Sequence, residues 1–168
     1  GLISLGFFYP NLNNNMPKQE KIDAIRHSLS HIMAMAVLKK FPDTKLGIGP
    51  TIDNGFYYDF LLPDKLSDTD LPRLEKQMKK IIQQKTAFTK TVMDKKQALD
   101  KVKDEDFKVE LINDLPAAEE ISFYESGDFS DLCAGPHVKD TSEINPHAFK
   151  LTHVAGAYWR GDEKNPML

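Results

Sequence analysis

The sequence predicts an α+β domain, an antiparallel sheet packed around a central helix. Two observations carry that expectation. From Asp23 to Leu38 the apolar residues recur at helical spacing, and downstream several short alternating runs are joined by hairpin-type turns.

The first helix is the clearest element. Ile22, Ile25, Leu29, Ile32, Met33 and Ala36 fall at i, i+3, i+4 and i+7 spacing and form a wide apolar stripe. His27 and His31 point to the side opposite that stripe, with Ala24, Ala34 and Leu38 rather than lysines and glutamates as neighbours. After Arg26 the run carries no charge as far as Leu38, which predicts a helix central to its domain whose histidines face a protein-lined space. The basic Lys39-Lys40 pair and Pro42 then end it. KLGIGPTIDNGFYYDFLL reads as short strands broken by Gly-Pro and Asn-Gly. Leu71 to Gln84 is a half-exposed helix with Leu74, Met78, Ile81 and Ile82 apolar. FTKTVMD is expected as a strand and KKQALDKVK as a short polar helix. FKVELIND alternates like a half-buried strand, EISFYESGDFSDLCA reads as a hairpin turning at Ser126-Gly127, and AFKLTHVAGAYWRG as a strand with a glycine-hinged exit.

With 168 residues, the chain is the size of one domain, and its 40% hydrophobic content suits a real core. A net charge of −3 argues against a broad basic platform for nucleic acid, though not against a domain that holds only the end of one. The single cysteine, Cys133, excludes an internal disulfide and favours a reducing, cytoplasmic setting. No apolar run approaches the roughly 18 residues of a bilayer span. GLISLGFFYP has no basic leader and makes a poor signal peptide, while Met16-Pro17 reads as a natural start. The organisation expected is an N-terminal tail at 1–19, of either upstream or added origin, a domain at 20–154 and an exit linker at 155–168.

Chemistry concentrates in two fragments. His27 and His31, four residues apart, project side by side and can share one ligand, but alone the pair is a weak signal. In Cys133-Ala-Gly-Pro-His137 the Gly-Pro step forbids a regular helix, so a turn aims Cys133 and His137 at one point. Three histidines and the cysteine form a donor set of the kind zinc accepts. Plainer readings stand beside this. Cys133 suits an ordinary buried small residue, Met33 and Met35 core filler, KKIIQQK a solvated face, and His147 and His153 the surface. Asp131 is either a turn residue or a pocket carboxylate.

HSLSH and LCAGPH, together with GPTIDNGFYYDF and AGAYWRGDEKNPML, closely resemble the editing domain of threonyl-tRNA synthetases over about Arg26 to Leu168. Alanyl-tRNA synthetase editing domains share the HxxxH and CxxxH pairs but lack the other two segments. Two departures stand out: the stretch between Met16 and His27 is too short for the family's small N-terminal domain, and the chain stops where the family continues into its catalytic core. An editing domain without ligase activity is therefore expected.

The resemblance implies hydrolysis of serine wrongly esterified to threonine tRNA. His27, His31, Cys133 and His137 would line the pocket, joined by Lys108 and with Tyr58 and Asp131 as substrate-binding residues. His27 with Lys108 would activate the water, Asp131 and His31 would hold the seryl amine and hydroxyl, and Cys133 would be a wall rather than a nucleophile. No cofactor is required on this reading. Zn2+ at His27, His31, Cys133 and His137 remains open, because alanyl-type relatives bind it there. The partners implied are the tRNA(Thr) acceptor end and the rest of a synthetase chain, with no membrane and a monomeric fragment. The competing readings are an alanyl-type hydrolase acting in trans and a zinc-stabilised module that only docks the acceptor end.

Overall fold

The structure, a computed structural model, describes residues 17–168. Apart from residues 17–19, the expected N-terminal tail lies outside the described residues. The fold is α+β. Helix α1 (Lys18–Lys40) starts directly after Pro17, whose fixed φ suits a helix entrance, and carries Lys39 and Lys40 in its last turn. Its buried residues, Ala24, Ser28, Leu29, Ser30, His31, Ile32, Ala34, Ala36 and Val37, go all the way round the axis, as an uncharged run requires.

Different elements cover those sides. Helix α2 (Leu71–Gln83) lays its apolar face on α1, and Leu74, Met78, Ile81 and Ile82 meet Leu29, Ile32, Ala36 and Val37 in the main core, with Phe88, Tyr124, Val138 and Ile144. A doubly nested hairpin closes another side. Strands β1 (Lys45–Leu46) and β4 (Phe60–Leu61) pair outside β2 (Thr51–Ile52) and β3 (Gly55–Phe56), whose turn is Asp53-Asn54, with the glycine of the Asn-Gly step already in β3. Leu46 and Tyr58 from this hairpin pack on Ala34.

The main sheet is three-stranded and antiparallel, β5 (Thr89–Met93), β6 (Ile121–Ser126) and β7 (Phe129–Leu132), with β6 central. Gly127, at φ +59°, makes the tight β6–β7 turn. On the sheet's far side, α3 (Lys95–Lys101) and α4 (Asp106–Asp114) build a second core from Ala98, Val102, Ile112, Ile121 and Phe123. Asp94 caps α3 in a reciprocal box with Gln97.

Two sequence expectations are corrected. FKVELIND is helix α4, not a strand. Phe107, Val109 and Leu111 alternate, but Phe107 and Lys108, Leu111 and Ile112, and then Leu115 also repeat every four residues. Burial of Ile112 against Ala98 and Val102 selects the helical pattern. Residues 149–154, expected as a strand, have no regular secondary structure and join no ladder. Their backbone is held by carboxylates instead, Leu151 N–H donating to Glu75 at 2.9 Å and Val154 N–H to Asp68 at 2.7 Å. Further on, Ala157 pairs with Leu168 and Trp159 with Pro166, so the C-terminal segment closes on itself. Trp159 packs at a tilt against Phe107 of α4, ring centroids 4.7 Å apart, and donates its indole N–H to Glu110. No helix among the described residues is long and apolar enough to cross a membrane.

Met78 is completely buried between α2 and α1. Met78→Ala is expected to cost about 2–5 kcal/mol of stability, whereas Val92→Thr at an exposed site shifts it by less than about 0.5 kcal/mol. Urea unfolding of both variants checks this contrast.

Candidate active site

On α1, His27 and His31 lie on one side with ring centroids 5.3 Å apart. The loop after β7 brings Cys133 and His137 against them. Cys133 N–H still donates to Ser122 O at 3.0 Å, and Ser122 Oγ returns a bond to Cys133 O at 2.7 Å, so the loop leaves the sheet from a fixed point. Gly135 then turns at φ +84°, where an L side chain is strained and an added Cβ would collide with the Tyr124 ring. The turn returns His137 between the other two rings, 4.2 Å from His27 and 4.3 Å from His31.

Cys133 Sγ sits at the centre, 3.2 Å from His27 Nε2 and 3.2 Å from His137 Nε2, and it accepts from Gly135 N–H at 3.3 Å. His31 and His137 form the buried floor, whereas His27 and Cys133 are half-buried and reach the surface. His27 Nδ1 donates to the Pro136 carbonyl at 3.1 Å.

Beside this cluster lies a buried ionic network. Lys108, on the inward face of α4, donates to Gly47 O at 2.7 Å and Tyr58 Oη at 3.2 Å, and its ammonium stands 2.6 Å from Asp131 Oδ1. That last contact is an ion pair out of line for a hydrogen bond, which leaves Oδ1 with no aligned donor. Tyr58 Oη donates to the other oxygen, Oδ2, and His31 Nε2 lies 3.7 Å from it. Asp131 is thus a pocket carboxylate on β7, not a turn residue. Gly49 leaves room for the Tyr58 ring, with which an added Cβ would collide.

All seven residues singled out in the sequence therefore come together, the four donors at one focus and Lys108, Tyr58 and Asp131 linked to it through His31. His147 and His153 are exposed and stand apart. Sequence reading missed Ser28, whose hydroxyl contacts His137 Nδ1 at 3.1 Å, and the carbonyls of Gly47 and Pro136. Ser28 had a signal, since a serine inside an otherwise apolar helix must find partners. Backbone carbonyls leave none.

Burial dominates the electrostatics. It pushes His27 below its ordinary value, against the pull of its Pro136 bond and of Asp131. His31 is lowered to about 3 by burial, with Asp131 opposing and His27 and Lys108 adding to the fall. His137 is held well below its usual range by burial and then by His31 and His27. Burial raises the Cys133 thiol to about 12. Tyr58 is pushed well up by burial and then by Asp131. At neutral pH the cluster is three neutral imidazoles and a thiol, a ring of lone pairs around one hydrogen.

Such a set can hold a metal ion. The four donor atoms lie within 4.8 Å of one another, and His31 Nδ1 is buried without a partner, as a waiting ligand would be.

Residues 121–168, which carry Asp131, Cys133 and His137, match the model described as "Threonyl and Alanyl tRNA synthetase second additional domain". The chain is 50% identical over 158 residues to a threonine--tRNA ligase of Treponema pallidum, covering 94% of this chain and 27% of that protein. Identity is 47% over 157 residues with the Borrelia turicatae protein of the same name, again 94% of this chain and 27% of the relative. With the Clostridium botulinum one it is 55% over 150 residues, 89% of this chain and 23% of the relative. The resemblance to threonyl-tRNA synthetases is shown. The chain spans about a quarter of the length of the relatives it matches.

Two predictions follow from the cluster and the network. Each buried imidazole resists protonation in the folded state, while in the unfolded chain it charges near pH 6.5. The unfolded state therefore binds more protons below that pH. Stability is intact above pH 6.5 and is lost as the pH falls towards about 3, where His31 titrates when folded. His31 alone contributes a slope of up to about 1.4 kcal/mol per pH unit. Urea midpoints of chelator-treated protein should fall steadily between pH 7 and 5, and a flat profile contradicts this account. Lys108→Met leaves Asp131 buried and uncompensated, at a cost of about 3–5 kcal/mol, and adding Asp131→Leu should restore part of that loss. A double-mutant cycle measures the restoration.

Proposed function

We propose that the chain is an editing domain that hydrolyses the ester of serine wrongly joined to threonine tRNA. The observation that carries the reading is the His27–Cys133–His137 cluster, reaching the surface at His27 and Cys133, over the buried Lys108–Asp131–Tyr58–His31 network, in a chain similar to threonine--tRNA ligases. The proposed partners are the acceptor end of tRNA(Thr) and the remainder of a synthetase chain, in the cytoplasm. Residues 20–154 act as the editing unit, 155–168 lead towards the remainder, and the isolated piece is monomeric.

The chemical need is physical. Serine differs from threonine by one methyl group, and a pocket distinguishes such a pair by only about 1–3 kcal/mol. A second site that destroys the wrong ester supplies the rest. His27 suits the general base, since its ring reaches the surface, is neutral at pH 7 and has Nδ1–H anchored on Pro136, so that Nε2 carries the lone pair, which takes a proton from water when the Cys133 thiol turns to His137. The ammonium of Lys108 faces the carboxylate of Asp131, and that carboxylate, with His31, is suited to meet the seryl amine and hydroxyl. Lys108 would also favour negative charge developing on the attacked carbonyl oxygen. Cys133 keeps its proton at neutral pH, so it serves as a wall and hydrogen-bonding group rather than a nucleophile. If zinc is held by His27, His31, Cys133 and His137, it supplies Lewis acidity to the same ester.

Seryl-tRNA(Thr) and threonyl-tRNA(Thr) offered in parallel test the reading. Rapid loss of serine alone is expected, with His27→Ala slowing it by at least about 100-fold. The four-donor cluster favours one second reading, a zinc-stabilised module that docks the acceptor end without cleaving it. That module would unfold with chelator and spare both esters.

A further inference from the structure

The hydrogen bonds around Ser28 decide a question the ring positions alone leave open, namely which nitrogen of His137 carries the proton. Ser28 sits on α1 between the two histidines and is completely buried. Its Oγ has three close polar neighbours besides its own backbone. Oγ–H donates to Ala24 O at 2.8 Å, Val138 N–H donates to Oγ at 3.0 Å, and His137 Nδ1 lies 3.1 Å away.

A hydroxyl has one proton to give. If that proton went to His137 Nδ1, Oγ and the Ala24 carbonyl oxygen would face each other at 2.8 Å with no hydrogen between them, a lone-pair repulsion. With the proton on the Ala24 carbonyl, every contact is satisfied, provided His137 Nδ1 bears a hydrogen and donates it to Oγ. We infer that Ser28 is a positioning residue that fixes His137 as its Nδ1–H tautomer and so turns the ring's Nε2 lone pair towards Cys133 and the pocket.

The consequence lies at the focus of the site. The Pro136 carbonyl can only accept, so it holds His27 in the same tautomer. Two Nε2 lone pairs then converge on Cys133 Sγ at equal distances of 3.2 Å, and the thiol can donate to only one at a time. One acceptor is always unsatisfied in the pocket, ready for a water, a hydroxyl or an ammonium from outside. Ser28 also holds the loop to the helix through Val138 N–H, so tautomer and loop position are fixed together. Any effect on ester hydrolysis rests on the editing reading, whereas the tautomer does not.

Long-range 1H–15N correlation spectra of the histidine rings, recorded on chelator-treated protein at neutral pH, read the tautomer without substrate. Wild-type His137 is expected to show a protonated Nδ1 and an unprotonated Nε2. In Ser28→Ala, Nδ1–H loses its acceptor and the two signatures should exchange, with the proton moving to Nε2 and facing Cys133. Ser28→Thr keeps the hydroxyl and should keep the wild-type pattern. A protonated Nε2 in the wild type overturns the proposal even if no variant folds, and so does a Ser28→Ala spectrum unchanged from wild type. With seryl ester as substrate, Ser28→Ala should lower kcat about 10–100-fold with little change in KM. If the wild type cleaves no ester but shows the expected tautomer, the editing reading fails and the tautomer assignment stands.

Discussion

An ammonium and a carboxylate, Lys108 and Asp131, are both almost wholly removed from water, and much of the remaining architecture answers to that fact. Each ion taken out of water costs several kcal/mol, and mutual attraction offsets the cost only if the remaining hydrogen-bonding capacity is met. The groups that meet most of it come from separate parts of the chain, the Gly47 carbonyl after β1 and the Tyr58 hydroxyl before β4, with the His31 imidazole on α1 standing 3.7 Å from Asp131. Each element is thereby held in place by a polar requirement as well as an apolar one. The doubly nested hairpin is too short to be stable alone, and the network gives it a second attachment besides Leu46 and Tyr58 packing on Ala34.

The sequence announced the body of α1, from Asp23 to Leu38, and its chemistry in part. A run with histidines and serines but no charge must be enclosed, and Ser28, Ser30 and His31 are indeed buried. The CxxxH turn was equally legible, because Gly135 and Pro136 permit nothing regular. Lys108 was harder. As a strand residue it would have alternated to one face of a sheet, and its place in the site came only from the resemblance, not from its own pattern. Residues 107–115 carry a period of two and a period near four together, and only the partners of Ile112 tell them apart. Lys108 then points inward because α4 is a helix, which places it on the buried side with Phe107 and Ile112.

The region after 148 shows a different limit. Its alternation suggested a strand, but a strand needs a neighbour with free backbone groups. Glu75 and Asp68 take that place with side-chain carboxylates. Nothing in the local sequence of 148–154 announces two acidic residues far earlier in the chain. The C-terminal turn repeats the lesson, since Trp159 is buried not by its neighbours but by Phe107 and Glu110 of α4.

Three rings and a thiol within a few ångströms would ordinarily be a poor packing unit, because neutral imidazoles each expose an unpaired nitrogen. Here the backbone removes most of that cost asymmetrically. His27 hands one nitrogen to a carbonyl and His137 meets a serine already committed to the helix, so both rings turn the same edge inward. His31 does the opposite: one nitrogen faces Asp131 and the other has no partner. Depth then separates their chemistry. The two buried rings resist charging most, while His27, half-exposed and supported by a carbonyl that stabilises its protonated form, is the ring best able to accept a proton and release it to solvent. Three histidines that look equivalent in a motif are thereby made unequal by the groups behind them.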